Sequence, residues 1–200
     1  MSTPTSVGVQ LPSGWIELDP REPNLVEELE RALEIPAEHR ETVLSLLAPL
    51  AAELGRTAAA ADIVLVGLFA QAVPIDGADQ PLVLAGHVVL AISPQVGNLD
   101  EVREVLNRNG GDVAPVDLPA GAAVLSTGET RISDPSWEES VPARTRRYFV
   151  PIPDTDRVAA LSFLTPNVEL ADQFDEVFDA IARTLEFGYE DSPESVASAP

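Results

Sequence analysis

The sequence predicts an α+β fold, a mainly antiparallel β-sheet flanked by helices, and three observations carry that reading. First, the runs DIVLVGLFA (62–70) and LVLAGHVVLAIS (82–93) are apolar on both faces, as strands covered on both sides are. Second, residues 157–164 alternate, with Ala159, Leu161 and Phe163 on one side and Val158, Ala160, Ser162 and Leu164 on the other; this too predicts a central strand. Third, Leu170, Phe174, Val177, Phe178, Ile181 and Leu185 fall at helical spacing and make one apolar stripe. Burying Phe174, Phe178 and Leu185 is worth about 1.5–3 kcal/mol each. An Asp179–Arg183 ion pair at i,i+4 is worth only about 0.3–0.5 kcal/mol. The stripe therefore docks this helix on the sheet.

In chain order, residues 6–18 predict a first strand interrupted at Pro12-Ser13-Gly14, with Trp15 as a core anchor. Leu25, Val26, Leu29, Ala32 and Leu33 predict a helix that Pro36 ends, and a second helix runs over 37–55, kinked or split by Pro49. Together they form an N-terminal helical insertion over residues 24–56. Residues 74–81 read as a loop around Asp76-Gly77, and residues 98–109 as a short helix with Leu99, Val102, Val105 and Leu106 inward. Weaker strands at 113–118 and 122–127 flank Pro119-Ala120-Gly121, and 133–142 is a polar loop carrying Trp137. Residues 147–152 pair with 157–164 as a hairpin, where Pro151 favours an edge or the end of pairing. Thr165 is placed to cap the last helix, Pro166 to start it and Gly188 to stop it. The single α/β domain spans 1–188, and the polar tail 189–200 is expected to be disordered. One echo recurs: ISPQVGNLDEVREVL and LTPNVELADQFDEVF both follow a predicted hairpin with Ser/Thr-Pro and a helix.

Composition excludes several kinds of chemistry. There is no Cys, so disulfides, thiol catalysis, zinc–thiolate sites and iron–sulfur clusters are out. The net charge of −21 argues against nucleic-acid phosphate or anionic lipid as a partner, and a solvated acidic surface that maintains solubility accounts for it. All 12 basic residues are Arg, which with the abundant Ala, Val and Pro fits a high-GC genome; a halophile is the rival account of the acidity. The first residues lack the basic and apolar regions of a secretory signal, and no apolar run of about 18 residues spans a membrane. The expected location is cytoplasmic.

Few residues invite a reaction. His39 sits in a charged helix start, and His87 within LAGHVVLA reads as a sheet histidine or a ligand; two isolated histidines make no metal motif. Gly67 and Gly86 lie inside strands and mark close packing or bulges. Asp154-Thr155-Asp156 reads as a turn, with a cation site as the other reading. Arg144, Arg146 and Arg147 form a basic cluster that recognises a carboxylate, a phosphate or an acidic partner, or else balances nearby acids on an edge strand. No cofactor or metal is implied.

The stretch YFVPIPDTDRVAALSFLTPNVELADQFDEVFDAIARTLEF resembles a group of uncharacterised actinobacterial proteins that look like members of the Mog1/PsbP-like fold class. The opening VGVQLPSGWIELD is similar to their first hairpin, around a Pro-x-Gly-Trp turn. The resemblance implies an α/β/α sandwich and an accessory or scaffold role, with no catalytic residues to carry over. The helices at 24–56 and the acidic surplus depart from the small core of that class. The expected function is a non-enzymatic accessory or scaffold protein acting through protein–protein contacts, self-association included, by way of the helical insertion or the loop around Trp137. The alternative is a small-ligand binder with a pocket between insertion and sheet lined by Trp15, His87 or Trp137. A third reading is an enzyme using carboxylates and Arg alone, which requires two buried acids and a strongly perturbed group in a cleft.

Overall fold

The computed structural model describes residues 4–19, 62–77, 81–93, 99–108, 111–133 and 140–189. The predicted helical insertion at 24–56, His39, Trp137 and the tail 190–200 lie outside the described residues.

Seven strands form one antiparallel sheet in the order β2-β3-β4-β8-β7-β6-β5. They are β2 (Trp15–Leu18), β3 (Asp62–Val73), β4 (Leu82–Ser93), β5 (Asp112–Leu118), β6 (Gly121–Ile132), β7 (Val141–Pro151) and β8 (Val158–Thr165). The strand predicted to be central, β8, is the fourth of the seven, and most of its residues are buried. Its partner β7 is interior as well, not an edge strand; Pro151 is tolerated because it occupies the last paired position, opposite Val158. The edge strand β5 carries Pro115, where a missing N–H costs least. Strand β6 runs past the expected 127 to Ile132, and Val141 and Pro142, expected in the polar loop, already belong to β7.

Helix α1 (Leu99–Arg108) packs on β5, β6 and β7, and helix α2 (Ala171–Ala182) on β7 and β8. The α2 stripe seals the larger core, in which Phe178 is 0% exposed and stacks on Phe163 with ring centroids 4.7 Å apart. Val177, counted in that stripe, is exposed, as is Val105 on α1; of the four α1 residues expected inward, Val102 alone is fully buried. A second cluster, Leu18, Val66, Leu68, Ala85, Val89, Ile132, Ala143 and Leu164, lies on the opposite face of the sheet. The sequence echo does not become a structural repeat. Helix α2 returns over its own hairpin, whereas α1 leaves β4 and settles over β5 to β7 on the other face.

Both ends of the last helix depart from expectation. The Thr165 hydroxyl donates to the Ala85 carbonyl at 2.7 Å and accepts from the Asn167 N–H at 3.1 Å, so Thr165 closes β8 and does not cap a helix. A 3₁₀ turn, Val168–Leu170, precedes α2. Helix α2 stops at Ala182, well short of Gly188, because residues 186–188 are claimed by a strand, β9 (Glu186–Gly188), paired with β1 (Ser6–Gly8). The two-stranded ribbon lies over the α2 face, where Val7, Leu11 and Phe187 join the core. Glycine makes room for this layer. A Cβ on Gly67 would stand 2.8 Å from Leu11 Cδ1 and 2.7 Å from Val88 Cγ1, and one on Gly86 would stand 3.3 Å from Phe174. The close-packing reading of both glycines holds; the bulge in β3 falls at Ile63/Leu65 instead. Among the described residues no helix is long and apolar enough to cross a membrane.

Candidate functional site

The basic cluster on β7 is divided by the pleat. Successive strand residues point to opposite faces, so Arg144, Arg146 and Tyr148 project toward α2 and Arg147 projects toward α1. On the α2 side the helix offers Asp175 and Asp179, four residues apart and on one face. Arg146 reaches both acids, with Nη1 3.1 Å from Asp175 Oδ2 and Nη2 2.6 Å from Asp179 Oδ1. Its Nε donates to Asp179 Oδ1 and to the Tyr148 hydroxyl, each at 2.7 Å. The Tyr148 O–H in turn donates to Asp179 Oδ1. Arg144 makes a single-pronged contact, Nη2 to Asp175 Oδ2 at 3.2 Å. Its Nε and Asp175 Oδ1 are buried with no hydrogen-bond partner among the described residues.

The electrostatics follow from burial and pairing. Burial pushes the Tyr148 phenol above its ordinary range; its hydrogen bond to Asp179 adds to this, and the Arg146 guanidinium opposes both. Burial works against the Arg146 charge, but Tyr148, Asp179 and Asp175 outweigh it and raise the guanidinium further. A phenol held neutral at 2% exposure is a poor proton acceptor near neutral pH. The network can hold α2 on the sheet, and its acids face cations rather than an open cleft. Arg144 and Arg146 therefore fulfil the charge-balancing reading, on an interior strand.

The α1 side differs. Leu106, Ser126, Gly128, Thr130, Thr145 and Arg147 line a groove of ≈ 240 Å³. The register sends the side chains of Thr127 and Glu129, opposite Arg146 and Arg144, to the α2 face, and only their backbone borders the groove. Arg147 is exposed and has no acidic partner among the described residues. Thr145 is buried, and its hydroxyl donates to the Gly128 carbonyl at 3.1 Å.

The remaining expectations separate. His87 is buried on the sheet face of Ala85 and Val89, in register with Leu68 and Leu164. Trp15 lies on the other face, in register with Phe69 and stacked on it at 6.0 Å. A pocket combining Trp15 with His87 is thus ruled out by the sheet between them. Asp154-Thr155-Asp156 is a turn: Asp154 takes φ 58°, which Asp tolerates, and the Thr155 hydroxyl donates to the Ile152 carbonyl. Among the described residues no group of three His, Asp or Glu is placed to hold a metal ion.

Sequence reasoning missed Tyr148, Asp175 and Asp179, and on the α1 side Ser126, Gly128, Thr130 and Thr145. The signal for the first set is the alternation Arg144, Arg146, Tyr148 matched with two acids at i,i+4 beside an apolar stripe. Comparison of the chain with protein-family models, curated proteins and solved structures finds no match.

Proposed function

We propose that this chain is a non-catalytic, cytoplasmic accessory protein that works through protein–protein contacts, and that its antiparallel sheet with α1 and α2 on opposite faces belongs to the Mog1/PsbP-like α/β/α sandwiches, with residues 24–56 as a helical insertion. One observation carries the functional reading: the turn end of the β3–β4 hairpin, a short arm that neither β2 nor β8 pairs, exposes two large apolar side chains beside Asp76. Strand β3 has 12 residues, but β2 pairs only with positions 66–69. Strand β4 also has 12, and β8 pairs only from His87 to Ser93. Beyond that point the Asn167 side chain replaces a strand: Oδ1 accepts from the Ala85 N–H at 2.8 Å and Nδ2 donates to the Val83 carbonyl at 2.9 Å. Past this clamp only Val73 and Leu82 still pair; Leu82 is 39% exposed, and Ile75, just after β3, is 49% exposed. Exposed apolar side chains at the turn end of a hairpin give a partner of so acidic a protein an apolar place to dock. The Arg–Asp–Tyr network supports the same reading, because both of its acids are engaged by its arginines and Tyr148.

The test compares the wild type with an Ile75→Asp/Leu82→Asp variant by light scattering at micromolar concentration and by cross-linking followed by identification of the retained protein. A specific partner or self-association that the variant loses, at unchanged thermal midpoint, supports the proposal. A monomeric wild type that retains the same proteins as the variant overturns it.

A further inference from the structure

We propose that the groove between α1 and strands β6 and β7 binds a small hydroxylated monocarboxylate, with the Arg147 guanidinium on the carboxylate. The site is independent of the β3–β4 arm. In a chain with 33 acidic and 12 basic residues, acids are in excess everywhere, yet Arg147 has no acidic partner among the described residues. Its two nearest basic neighbours on the strand, Arg144 and Arg146, are both paired. The pleat keeps the nearest acid on β6, Glu129, turned to the opposite face, so the side chains entering the groove from β6 and β7 carry one charge, and it is positive.

Hydroxyls surround that charge. Ser126 and Thr130 stand on the same face of β6, and Thr145 beside Arg147 on β7. The Thr145 proton is committed to the Gly128 carbonyl, which leaves its oxygen as an acceptor and calls for a donor on the ligand, such as a hydroxyl. Guanidinium plus acceptor therefore specify a carboxylate and a neighbouring O–H. The groove, ≈ 240 Å³, suits a small anion, and the charge of that anion is limited too. A net charge of −21 repels a second negative charge that only one guanidinium could offset, so a monocarboxylate is favoured over a phosphate. Gly128 leaves the floor bare.

The test is a backbone amide NMR titration of the full chain with sodium L-lactate, sodium propionate, sodium phosphate and sodium chloride. Expected are saturable shifts confined to Ser126, Gly128, Thr130, Thr145 and Arg147 with lactate, and severalfold weaker binding of propionate, which lacks the hydroxyl. Arg147→Gln is expected to weaken lactate at least tenfold. Gly128→Ala is expected to weaken it as well, because the added methyl would enter the groove at an ordinary 3.7 Å from Thr145 Oγ1 without disturbing the fold. The inference is overturned by shifts with lactate no larger than with chloride, by tighter binding of phosphate, or by equal binding in wild type and Arg147→Gln.

Discussion

Strand β7 presents the same residue type to two environments, and the contrast between its faces is instructive. Toward α2, Arg144 and Arg146 are enclosed, paired with Asp175 and Asp179 and backed by Phe163, Phe174 and Phe178. Toward α1, Arg147 is exposed beside hydroxyls and a bare glycine. The cause is what each helix brings. Helix α2 carries a wide apolar stripe flanked by two acids, so docking it buries cations and supplies their counter-charges in one step. Helix α1 buries only Val102 fully and sets no acid against Arg147 among the described residues. One face is organised for cohesion, and the other retains groups able to meet something else.

The contrast is broken most severely from the cohesive side. Phe178→Ala is expected to cost about 3–5 kcal/mol, read as a fall in the urea midpoint with little change in slope. A loss below about 1 kcal/mol means that α2 is not anchored by its stripe. Next is the pair Arg146→Gln and Arg147→Gln. Removing a partner from a fully buried ion pair costs about 3–5 kcal/mol; with Asp179 40% exposed, about 1–3 kcal/mol is expected for Arg146→Gln. Arg147→Gln is expected within about 0.5 kcal/mol of wild type, as for surface positions. Equal costs at the two neighbouring positions, measured by urea unfolding, erase the distinction between the faces.

How much of this was legible in the sequence depends on the range of the interaction that decided it. Strand β4 is legible to the residue, because twelve positions with no Pro, interrupted by Gly86 alone and largely apolar on both faces, favour a covered strand. The stripe of α2 is legible for the same reason. Its ends are not. Thr165 and Gly188 each carry a local signal that a distant partner outbids: the Ala85 carbonyl takes the Thr165 hydroxyl, and the N-terminal strand takes Gly188, whose carbonyl bonds Thr5 across 183 positions. Spacing along the helix matches Asp179 with Arg183, but Arg146, 33 positions earlier, holds it. The sorting of the three arginines is legible in principle, since odd or even position along a strand assigns each to a face. Which face finds acids is not legible, because that depends on where α2 lands.

The finest test of the enclosed side is its pH dependence through Tyr148. Its pKa lies above the ordinary tyrosine value in the folded chain, chiefly through burial and then through Asp179. In the unfolded chain the phenol titrates near 10. Below that the phenol is neutral in both states, and its contribution is complete. As pH climbs past about 10 the unfolded chain releases the proton and the folded chain keeps it, so stability is lost with rising pH. Tyr148→Phe removes the hydroxyl's hydrogen bonds, at a cost of about 0.5–1.5 kcal/mol at about pH 8, and removes this titration too. The gap between wild type and Tyr148→Phe should therefore shrink between about pH 9 and 11 and can change sign, as followed by urea midpoints at each pH. A gap that stays constant or widens over that range places the Tyr148 hydroxyl in contact with water and opens the side of β7 described as closed.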